Sequence, residues 1–353
     1  MNKINFPALT GIRALAAFMV FIHHYNPFSI ATFGNYTHDF FNEFHIGVTI
    51  FFVLSGFLIC NRYFDDPNFN FKNYLIKRFA RIYPMYFILT TLTFVFFAIV
   101  YSQNGWVDLH NYIYNITFLK GFSDELKFTG IAQGWSLSVE EMFYFTAPLL
   151  FLLINKNRVY LIVIPLFFIG FGLLLVSYFS GFDCNGFMKS TNFMLDFTFF
   201  GRISEFVVGI GLSLLIRKYS PTFKGMTYFG LLGIILSICA LVSLKSEGGF
   251  GVDTLTGKII NTIVLPVFGI APLFLGLIKE KTFISDFFSS KALQLLGKSS
   301  YIFYLIHLGI FVTILNKINS NQWFVFVSLN IISIVLYLYI ETPLNKIIRK
   351  NRD

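Results

Sequence analysis

The sequence is poor in charge: only 13% of its 353 residues are Asp, Glu, Lys or Arg, against roughly 25% in typical soluble domains. It has three cysteines, none in a CxxC arrangement, so it predicts neither a disulfide framework nor a cysteine metal site. HExxH, GxSxG and glycine-rich dinucleotide motifs are absent. Gly297-Lys298-Ser299 is not a phosphate-binding loop, because Ala292 stands where its first glycine belongs. The sequence therefore supports no metal or nucleotide-hydrolysis chemistry.

Apolar residues take the place of the missing charge. Hydrophobic residues make up 56% of the chain, phenylalanine alone supplies 48 positions, and the mean hydropathy is +0.68. Even a folded domain of 300 residues leaves about a quarter of its unfolded surface exposed, so a water-soluble fold could not hide this much apolar surface. Disorder, a secreted disulfide scaffold and a nucleic-acid-binding domain are excluded as first interpretations. The composition predicts an all-α polytopic membrane protein.

The number of membrane spans follows from their length, since a helix needs about 20 mainly apolar residues to cross the hydrocarbon core. This criterion predicts ten transmembrane helices in one integral-membrane domain over residues 1–353, with no appended extracytoplasmic domain. The predicted spans are residues 7–26, 44–61, 84–101, 136–154, 159–179, 198–216, 226–244, 259–278, 299–316 and 323–341.

The distribution of the 27 Lys and Arg residues tests the ten-span topology. Most of them fall on the side that holds the N-terminus when the spans alternate, and only a few, such as Lys189 and Lys317, fall on the other. Cytoplasmic loops collect Lys and Arg, so both termini are predicted to be cytoplasmic. The same rule explains the net charge of +9 without an anionic partner. Arg13 interrupts the first apolar run, which predicts a retained span rather than a removed signal peptide.

Ionisable residues inside a membrane are costly and therefore mark candidate functional sites. Arg13 and His24 lie about three helical turns apart on one face of the first span, about 16 Å along its axis. Arg13 is predicted in the cytoplasmic half and His24 near the outer end, whereas His23 points about 100° away. The alternative is that Arg13 extends to the interface and His24 is an interfacial polar residue beside Tyr25.

A second cluster, Trp135 to Tyr144, lies at the predicted outer entrance of the fourth span. Ser136 can cap the helix, and Glu140 or Glu141 favours its positive end, but two carboxylates exceed what a cap needs. The ten-span topology puts this cluster at the same outer depth as His24. A histidine with a nearby carboxylate is a candidate general base.

A third cluster, Lys77 to Pro84, lies at the predicted cytoplasmic edge of the third span. It can be a simple positive-inside flank. Alternatively, Arg78 and Arg81 bind phosphate, because guanidinium groups are permanently charged and donate in pairs.

Polar residues also occur inside other predicted spans. Ser55 lies in the second span, and Arg202 with Glu205 in the sixth, where their i, i+3 spacing allows mutual neutralisation. Tyr304 and His307 share a face of the ninth span by the same spacing. His307 can equally be a buried imidazole with satisfied hydrogen bonds.

Together these segments resemble the bacterial membrane acyltransferase family 3 along nearly the whole chain. No single segment is specific to this family, but the order of the segments, their spacing and their placement relative to the spans are specific to it. The segments that carry the resemblance are Arg13 with His24 and residues 52–58, 78–84, 135–144, 201–206, 300–307 and 341–343.

The resemblance implies an O-acyltransferase of the bacterial inner membrane with about ten transmembrane helices. Such proteins take acyl groups, usually acetyl from acetyl-CoA, and deliver them to hydroxyls of cell-envelope glycans. His24 matches the family's essential histidine, Arg13 its paired basic residue, and Arg78 and Arg81 the motif associated with the donor. The sequence stops at Asp353 without a hydrolase-like domain, so lipopolysaccharide O-antigen or exopolysaccharide is the predicted acceptor rather than peptidoglycan.

The predicted mechanism joins the two membrane faces. Coenzyme A phosphates bind Arg78 and Arg81, and the pantetheine arm passes Ser55 and Arg13. His24 removes the proton of a sugar hydroxyl, with Glu140 or Glu141 orienting His24 or holding the acceptor; an acyl-enzyme on a serine or on His24 is the alternative. Residues predicted to support this site are Trp135, Ser136, Ser138, Tyr144, Arg202, Glu205, Tyr304 and His307.

The expected partners are acyl-CoA, an envelope glycan or lipid-linked glycan, and membrane lipid, with no metal and no nucleic acid; a homo-oligomer is left open. Two other function classes compete with the acyltransferase. A proton-coupled transporter would also use membrane-embedded Arg, Glu and His, although the sequence lacks the internal repeat common in transporters. A non-catalytic scaffold for polysaccharide assembly is the second.

Overall fold

The computed structural model describes residues 6–101, 108–182, 184–219, 224–246 and 248–350. Helices dominate these residues, which form no strand and only one isolated β-bridge, between Ser123 and Phe187. The α-helices are α1 (Pro7–His24), α2 (Ile30–Asn42), α3 (Gly47–Tyr63), α4 (Phe71–Tyr101), α5 (Leu109–Ile116), α6 (Trp135–Lys156), α7 (Tyr160–Phe179), α8 (Thr191–Phe197), α9 (Phe199–Tyr219), α10 (Met226–Leu244), α11 (Leu255–Ile259), α12 (Ala271–Lys279), α13 (Phe283–Phe288), α14 (Lys291–Ile306), α15 (Ile310–Ile318), α16 (Gln322–Leu336) and α17 (Thr342–Arg349). The π-helical segments Ile260–Ile270 and Tyr337–Glu341 join α11 to α12 and α16 to α17. Short 3₁₀ turns cover Glu43–Ile46, Leu119–Phe122, Ala132–Gly134 and Gly251–Asp253.

The predicted all-α polytopic fold is confirmed. Among the described residues, nine helices are long and apolar enough to cross a membrane, and a tenth is present if the bent pair α14 and α15 counts as one span. Each of the ten predicted spans overlaps one of these helices. The side of the membrane on which the termini lie stays a prediction.

The third span was predicted too short. It was expected to begin at residue 84, but α4 begins at Phe71 and contains Pro84 in its interior. A hydropathy criterion stops at the cations of the Lys77 to Pro84 cluster because it treats each charge as uncompensated. Inside the fold, acidic and aromatic side chains accompany these cations, as described below, so the helix continues through them.

The ninth span bends by 90° between α14 and α15. The break lies at Gly309, whose φ of +84° is a left-handed conformation that only glycine adopts readily. The predicted span 299–316 includes this bend, because hydropathy alone contains no information on the turn.

The chain divides into two compact units. Unit 1 comprises Met1–Asp65 and Ser204–Tyr301, and unit 2 comprises Asp66–Ile203 and Ile302–Asp353. The core of unit 1 joins apolar residues of α1 and α3 to those of α10 and α12. Close helix approach is built in: a Cβ on Gly47 would lie 2.3 Å from the carbonyl oxygen of Ala16, so only glycine fits where α3 meets α1.

Unit 2 contains a smaller apolar core in which Met188, Phe193 and Met194 pack with Val176 of α7 and Phe200 of α9. The C-terminal helix α17 lies along α4, where the side-chain amide of Asn345 donates to the carbonyl oxygen of Ala80 at 3.2 Å. Unit 2 also contains α4 and α6, the helices that carry the predicted clusters Lys77 to Pro84 and Trp135 to Tyr144.

Candidate functional site

Helix α1 carries the two residues predicted to begin the site. Pro7 occupies its first turn, where a missing N–H costs nothing, and an apolar face that includes Leu9 and Ile12 is buried in unit 1. Arg13 is half-buried in the middle of the helix, and His24 is its last residue and is exposed. The imidazole of His24 is therefore accessible at a helix end.

His23 has different surroundings, as its helical position predicts. Its ring is half-buried, and its Nδ1 donates to the carbonyl oxygen of Asn42. Ring centroids of His24, His45 and Phe250 lie 4.7, 5.6 and 5.3 Å from that of His23. His23 is thus built into a cluster of rings, whereas His24 stands at its edge.

A carboxylate that the sequence analysis missed completes this cluster. Glu43 is 0% exposed, its Oε1 accepts the backbone N–H of Gly251 at 2.8 Å, and its Oε2 lies 2.9 Å from Nε2 of His45. The sequence does contain a signal for this pair. Glu43 and His45 are ionisable residues beside an apolar run, and the same criterion identified Arg13 and His24.

The remaining predicted residues of unit 1 are Ser55 and Glu205. Ser55 is half-buried in α3, and Glu205 is 0% exposed in α9. Next to Ser55, Gly56 allows α3 to approach α9 closely, since a Cβ there would lie 2.1 Å from the carbonyl oxygen of Phe206.

In unit 2, the arginine cluster of α4 meets the carboxylates of α6. Arg78 is 9% exposed, and its guanidinium carbon lies 5.8 Å from the centroid of the Tyr144 ring. The hydroxyl of Tyr144 donates to Oε1 of Glu140, and Arg78 lies close enough to Glu141 for direct electrostatic attraction. The hydroxyl of Tyr74 donates to the carbonyl oxygen of Tyr144 at 2.9 Å and holds the two helices together.

The contact with Tyr144 locates Arg78 along α6. Helix α6 has 22 residues and is thus about 33 Å long, with Tyr144 about 13 Å from its beginning. The Arg78 guanidinium therefore lies beside the middle of α6. The predicted position of Arg78 and Arg81 at the cytoplasmic edge of the third span stays a prediction, because the 31 residues of α4 exceed the roughly 20 that a span needs.

The two adjacent carboxylates differ in their hydrogen bonds. Glu140 accepts the hydroxyl of Tyr144. Oε1 of Glu141 is buried without a hydrogen-bond partner among the described residues, and the same holds for Oγ of Ser138, one helical turn earlier. Buried polar atoms are nearly always paired, so Glu141 and Ser138 offer capacity for a bound water or ligand.

A second network joins the entrance of α6 to the end of α14. Oγ of Ser136 lies 2.8 Å from the hydroxyl of Tyr304, and the amide of Gln133 donates to the carbonyl oxygens of Tyr304 and Leu305 at 2.8 and 2.7 Å. Nδ1 of His307 donates to the same Tyr304 oxygen at 2.7 Å. These bonds anchor the chain just before the 90° bend.

The alternative that Ser136 caps α6 is wrong. Gly134 occupies the N-cap position without a side-chain hydrogen bond, and Ser136 donates instead to the carbonyl oxygen of Gln133 at 3.0 Å. The helix begins earlier than the hydropathy pattern indicated, so Ser136 already lies inside it.

Arg202 belongs to the same end of α6. Its guanidinium carbon lies 5.9 Å from the centroid of the Trp135 ring, and Nη1 donates to the carbonyl oxygen of Asp196 at 3.0 Å. Arg202 is nearly buried, so the stacking on Trp135 fixes the start of α6 by a cation–π contact.

Lys120 is a buried cation that sequence analysis treated as a loop charge. It is 0% exposed, and its ammonium donates to the carbonyl oxygens of Thr129 and Ile131 at 2.8 and 2.6 Å. Burial lowers the pKa of Lys120 to about 7. The contact fixes the segment that leads into Gln133 and α6. Nothing in the sequence distinguishes this lysine from an exposed loop lysine such as Lys189.

Similarity to other proteins agrees with the arrangement. The chain is 28% identical to the peptidoglycan O-acetyltransferase OatA of Listeria monocytogenes over 96% of its own length and 56% of that protein. It is 26% identical to a putative O-acetyltransferase and to the O-acetyltransferase OatA of Staphylococcus aureus, over 96% of its own length and 57% of theirs. The chain thus spans little more than half the length of these relatives. No solved structure matches it significantly. The family model of the acyltransferase domain matches residues 6–341, and the chain therefore belongs to acyltransferase family 3.

Proposed function

We propose that this chain transfers an acetyl group from acetyl-CoA to a hydroxyl of a cell-envelope glycan at the bacterial inner membrane. The family match over residues 6–341 and the O-acetyltransferase relatives support the reaction class. The observation that carries the proposal is the exposed imidazole of His24 at the end of a buried transmembrane helix. An imidazole in that position is a suitable general base for a hydroxyl.

On the donor side, Arg78 and Arg81 are the proposed contacts for the coenzyme A phosphates. Guanidinium groups keep their charge inside a protein and bind phosphate through paired hydrogen bonds. Arg81 is half-buried and keeps capacity for a ligand, whereas Arg78 already faces the Tyr144 ring and Glu141. Arg13 and Ser55, both half-buried in unit 1, stay the proposed contacts of the pantetheine arm.

On the acceptor side, the two carboxylates receive different roles. Glu141 and Ser138 each have a buried oxygen without a hydrogen-bond partner among the described residues, and a sugar hydroxyl can donate to such an oxygen. Glu141 is therefore the carboxylate proposed to bind the acceptor. Glu140 already accepts from Tyr144 and is proposed to hold that ring in place.

The names of the relatives favour peptidoglycan as the acceptor, because one of them is a peptidoglycan O-acetyltransferase. The sequence-based prediction of lipopolysaccharide O-antigen or exopolysaccharide depended only on where the sequence ends. The similarity to a peptidoglycan O-acetyltransferase is the stronger argument. Analysis of ester-linked acetate in purified murein and in extracted polysaccharide, with and without expression of the protein, separates the two acceptors.

The decisive experiment combines purified protein, acetyl-CoA and detection of free thiol. Wild type is expected to release coenzyme A when glycan is present, and a transporter or scaffold is not. General-base catalysis contributes typically 10²–10⁴-fold in rate, so His24→Ala is expected to abolish measurable transfer while the protein still inserts and accumulates.

His23→Ala is the matched control. Its ring lies on another face of α1 and bonds to a backbone carbonyl, so the variant is expected to keep substantial activity. The rate of wild type is also expected to fall on acidification, because a protonated imidazole cannot accept a proton. Undiminished glycan acetylation by His24→Ala would contradict the proposed role.

A further inference from the structure

Three imidazoles and one carboxylate form a row at the end of α1, entirely within unit 1. From the exposed His24, the ring centroid of His23 follows at 4.7 Å, and that of His45 lies 5.6 Å beyond. The row ends at Glu43, whose Oε2 lies 2.9 Å from Nε2 of His45. Glu43 and His45 lie outside the segments that carry the family resemblance, and the mechanism proposed above uses neither.

The hydrogen-bond partners fix the tautomer of two rings. Carboxylate and carbonyl oxygens only accept, so Nε2 of His45 donates to Glu43 and Nδ1 of His23 donates to the carbonyl oxygen of Asn42. In a neutral imidazole the other nitrogen carries the lone pair. The basic positions are therefore Nδ1 of His45 and Nε2 of His23.

Glu43 supplies a fixed negative charge at the inner end of the row. It is 0% exposed, and a buried carboxylate is tolerated only when its oxygens are paired. The backbone N–H of Gly251 and the ring of His45 pair both oxygens. Because screening is weak around a buried charge, this carboxylate stabilises positive charge on the neighbouring rings.

We propose that Glu43 and His45 are positioning residues for acetyl transfer at His24. The proposal rests on the proposed function. As the acceptor oxygen attacks the thioester, its O–H bond breaks, the O–C bond forms and the C–S bond breaks. The proton passes from the hydroxyl to His24 and then to the departing thiolate sulfur. While His24 carries the proton, Glu43 acts through His45 to stabilise the positive charge on the row of rings.

Three titratable groups near the row, Asp39, Asp253 and His38, have partners of their own. Asp39 of α2 pairs with Lys245 at the end of α10. Asp253 accepts the backbone N–H of Phe250 at 2.7 Å, and Nδ1 of His38 donates to the carbonyl oxygen of Phe28. Glu43 is thus a carboxylate bonded to a ring of the row, whereas Asp39 and Asp253 have the partners just given.

The test is the pH profile of acetyl transfer for wild type and Glu43→Gln. Without the negative charge, protonation of the row becomes less favourable. The acidic limb is expected to move to lower pH by about one unit, and the plateau rate to fall roughly threefold because the base is weaker. A purely structural role would lower the amount of active protein without moving the limb.

Two further variants make the test specific. Glu43→Asp keeps the charge and is expected to restore most of the wild-type profile. Asp39→Asn removes a partly buried carboxylate that lies one helical turn before Glu43 and pairs with Lys245, and it is expected to leave the limb unmoved. An equal shift in Asp39→Asn would show a general field effect and overturn the assignment to Glu43.

A readout without substrate separates the failure of this inference from that of the proposed function. ¹⁵N ring shifts of His45 are expected to report the Nε2–H tautomer in wild type and a mixture in Glu43→Gln. An inactive His24→Ala together with wild-type profiles and tautomers in Glu43→Gln would overturn the inference alone, whereas an active His24→Ala would overturn the proposed function. If Glu43→Gln does not accumulate, His45→Gln retains a donor to Glu43, and a wild-type profile in that variant equally overturns the inference.

Discussion

Arg78 shows that a charged side chain can serve both ligand binding and folding, and a mutation must separate the two. Removing a buried charge disturbs the side chains packed around it as well as any ligand that it binds. Arg78 lies beside Glu141 and over the Tyr144 ring. A loss of donor binding in Arg78→Ala would therefore be hard to distinguish from a rearranged α4–α6 contact, and Arg81 is the better position for a test of donor binding.

Arg81→Ala is expected to weaken coenzyme A binding by about 10- to 150-fold, since a hydrogen bond to a charged group contributes roughly 1.5–3 kcal/mol. Arg81→Lys is expected to restore binding only in part, because an ammonium lacks the planar fork. Calorimetric titration of the detergent-solubilised variants with coenzyme A measures the change. Unaltered affinity in folded Arg81→Ala would leave the α4 arginines as topology signals only.

The sequence predicted individual residues where helix periodicity was sufficient. It separated His24 from His23 because adjacent positions on a helix point in different directions. It could not separate Glu140 from Glu141, since that difference depends on Tyr144 and Arg78, which belong to contacts formed only after folding. The pair of Glu43 and His45 was missed because its partners, Gly251 and His23, are distant in sequence.

At the scale of elements, composition predicted which segments form helices but not where they begin and bend. Among the described residues, nine of the ten predicted apolar runs overlap a helix long and apolar enough to cross a membrane, and the tenth overlaps the bent pair α14 and α15. The early start of α4 and the 90° bend before α15 were not predictable, because one depends on compensating charges and the other on the conformation of Gly309. Hydropathy measures the average cost of a residue in lipid, whereas both features depend on specific neighbours.

The turn Leu119–Phe122 gives a prediction at this scale. The pKa of Lys120 is lowered by burial to about 7 from 10.5, so between these values the unfolded chain binds more protons than the folded one. The free energy of unfolding contributed by this group therefore rises with pH across that window. Lys120→Met is expected to lose this rise, and thermal unfolding of both proteins at pH 7 and pH 9 measures it.

Lys127→Met is the control for Lys120→Met. Lys127 lies in the same connecting segment but is only partly buried and pairs with Asp124. It is expected to show the same increase in melting temperature between pH 7 and pH 9 as wild type. An equal change in melting temperature between pH 7 and pH 9 for wild type and Lys120→Met would mean that Lys120 does not determine this pH dependence.

At the scale of the whole molecule, the candidate residues are shared between the two units. Arg13, His24 and Ser55 belong to unit 1, and Arg78 and Glu141 to unit 2. Helices α9 and α14 run through both units. The family match spans both as well, so neither unit by itself corresponds to the acyltransferase domain.

The membrane topology is the last prediction, and the structure makes its test sharper. Exposed positions in loops or at helix ends are Lys156, Lys224 and Lys281, expected inside, and Lys189 and Lys317, expected outside. Single cysteines at these positions, in a background with the exposed Cys184 and Cys239 replaced by serine, are treated in intact cells with a membrane-impermeant maleimide. Labelling is expected only at Lys189 and Lys317.

The pair Lys281 and Lys317 decides the count of spans, because the 90° bend between α14 and α15 lies between them and Lys317 is near the end of α15. If the bent pair crosses the membrane, the two positions are on opposite sides, the span count is ten, and both termini share the cytoplasmic side. If the pair enters and leaves on one side, Lys317 is protected like Lys281, the count is nine, and the C-terminus moves outside. Protection at Lys317 with labelling at Lys189 would therefore overturn the ten-span topology and place the basic residues of α17, Lys346 and Arg349, on the side that the charge rule disfavours.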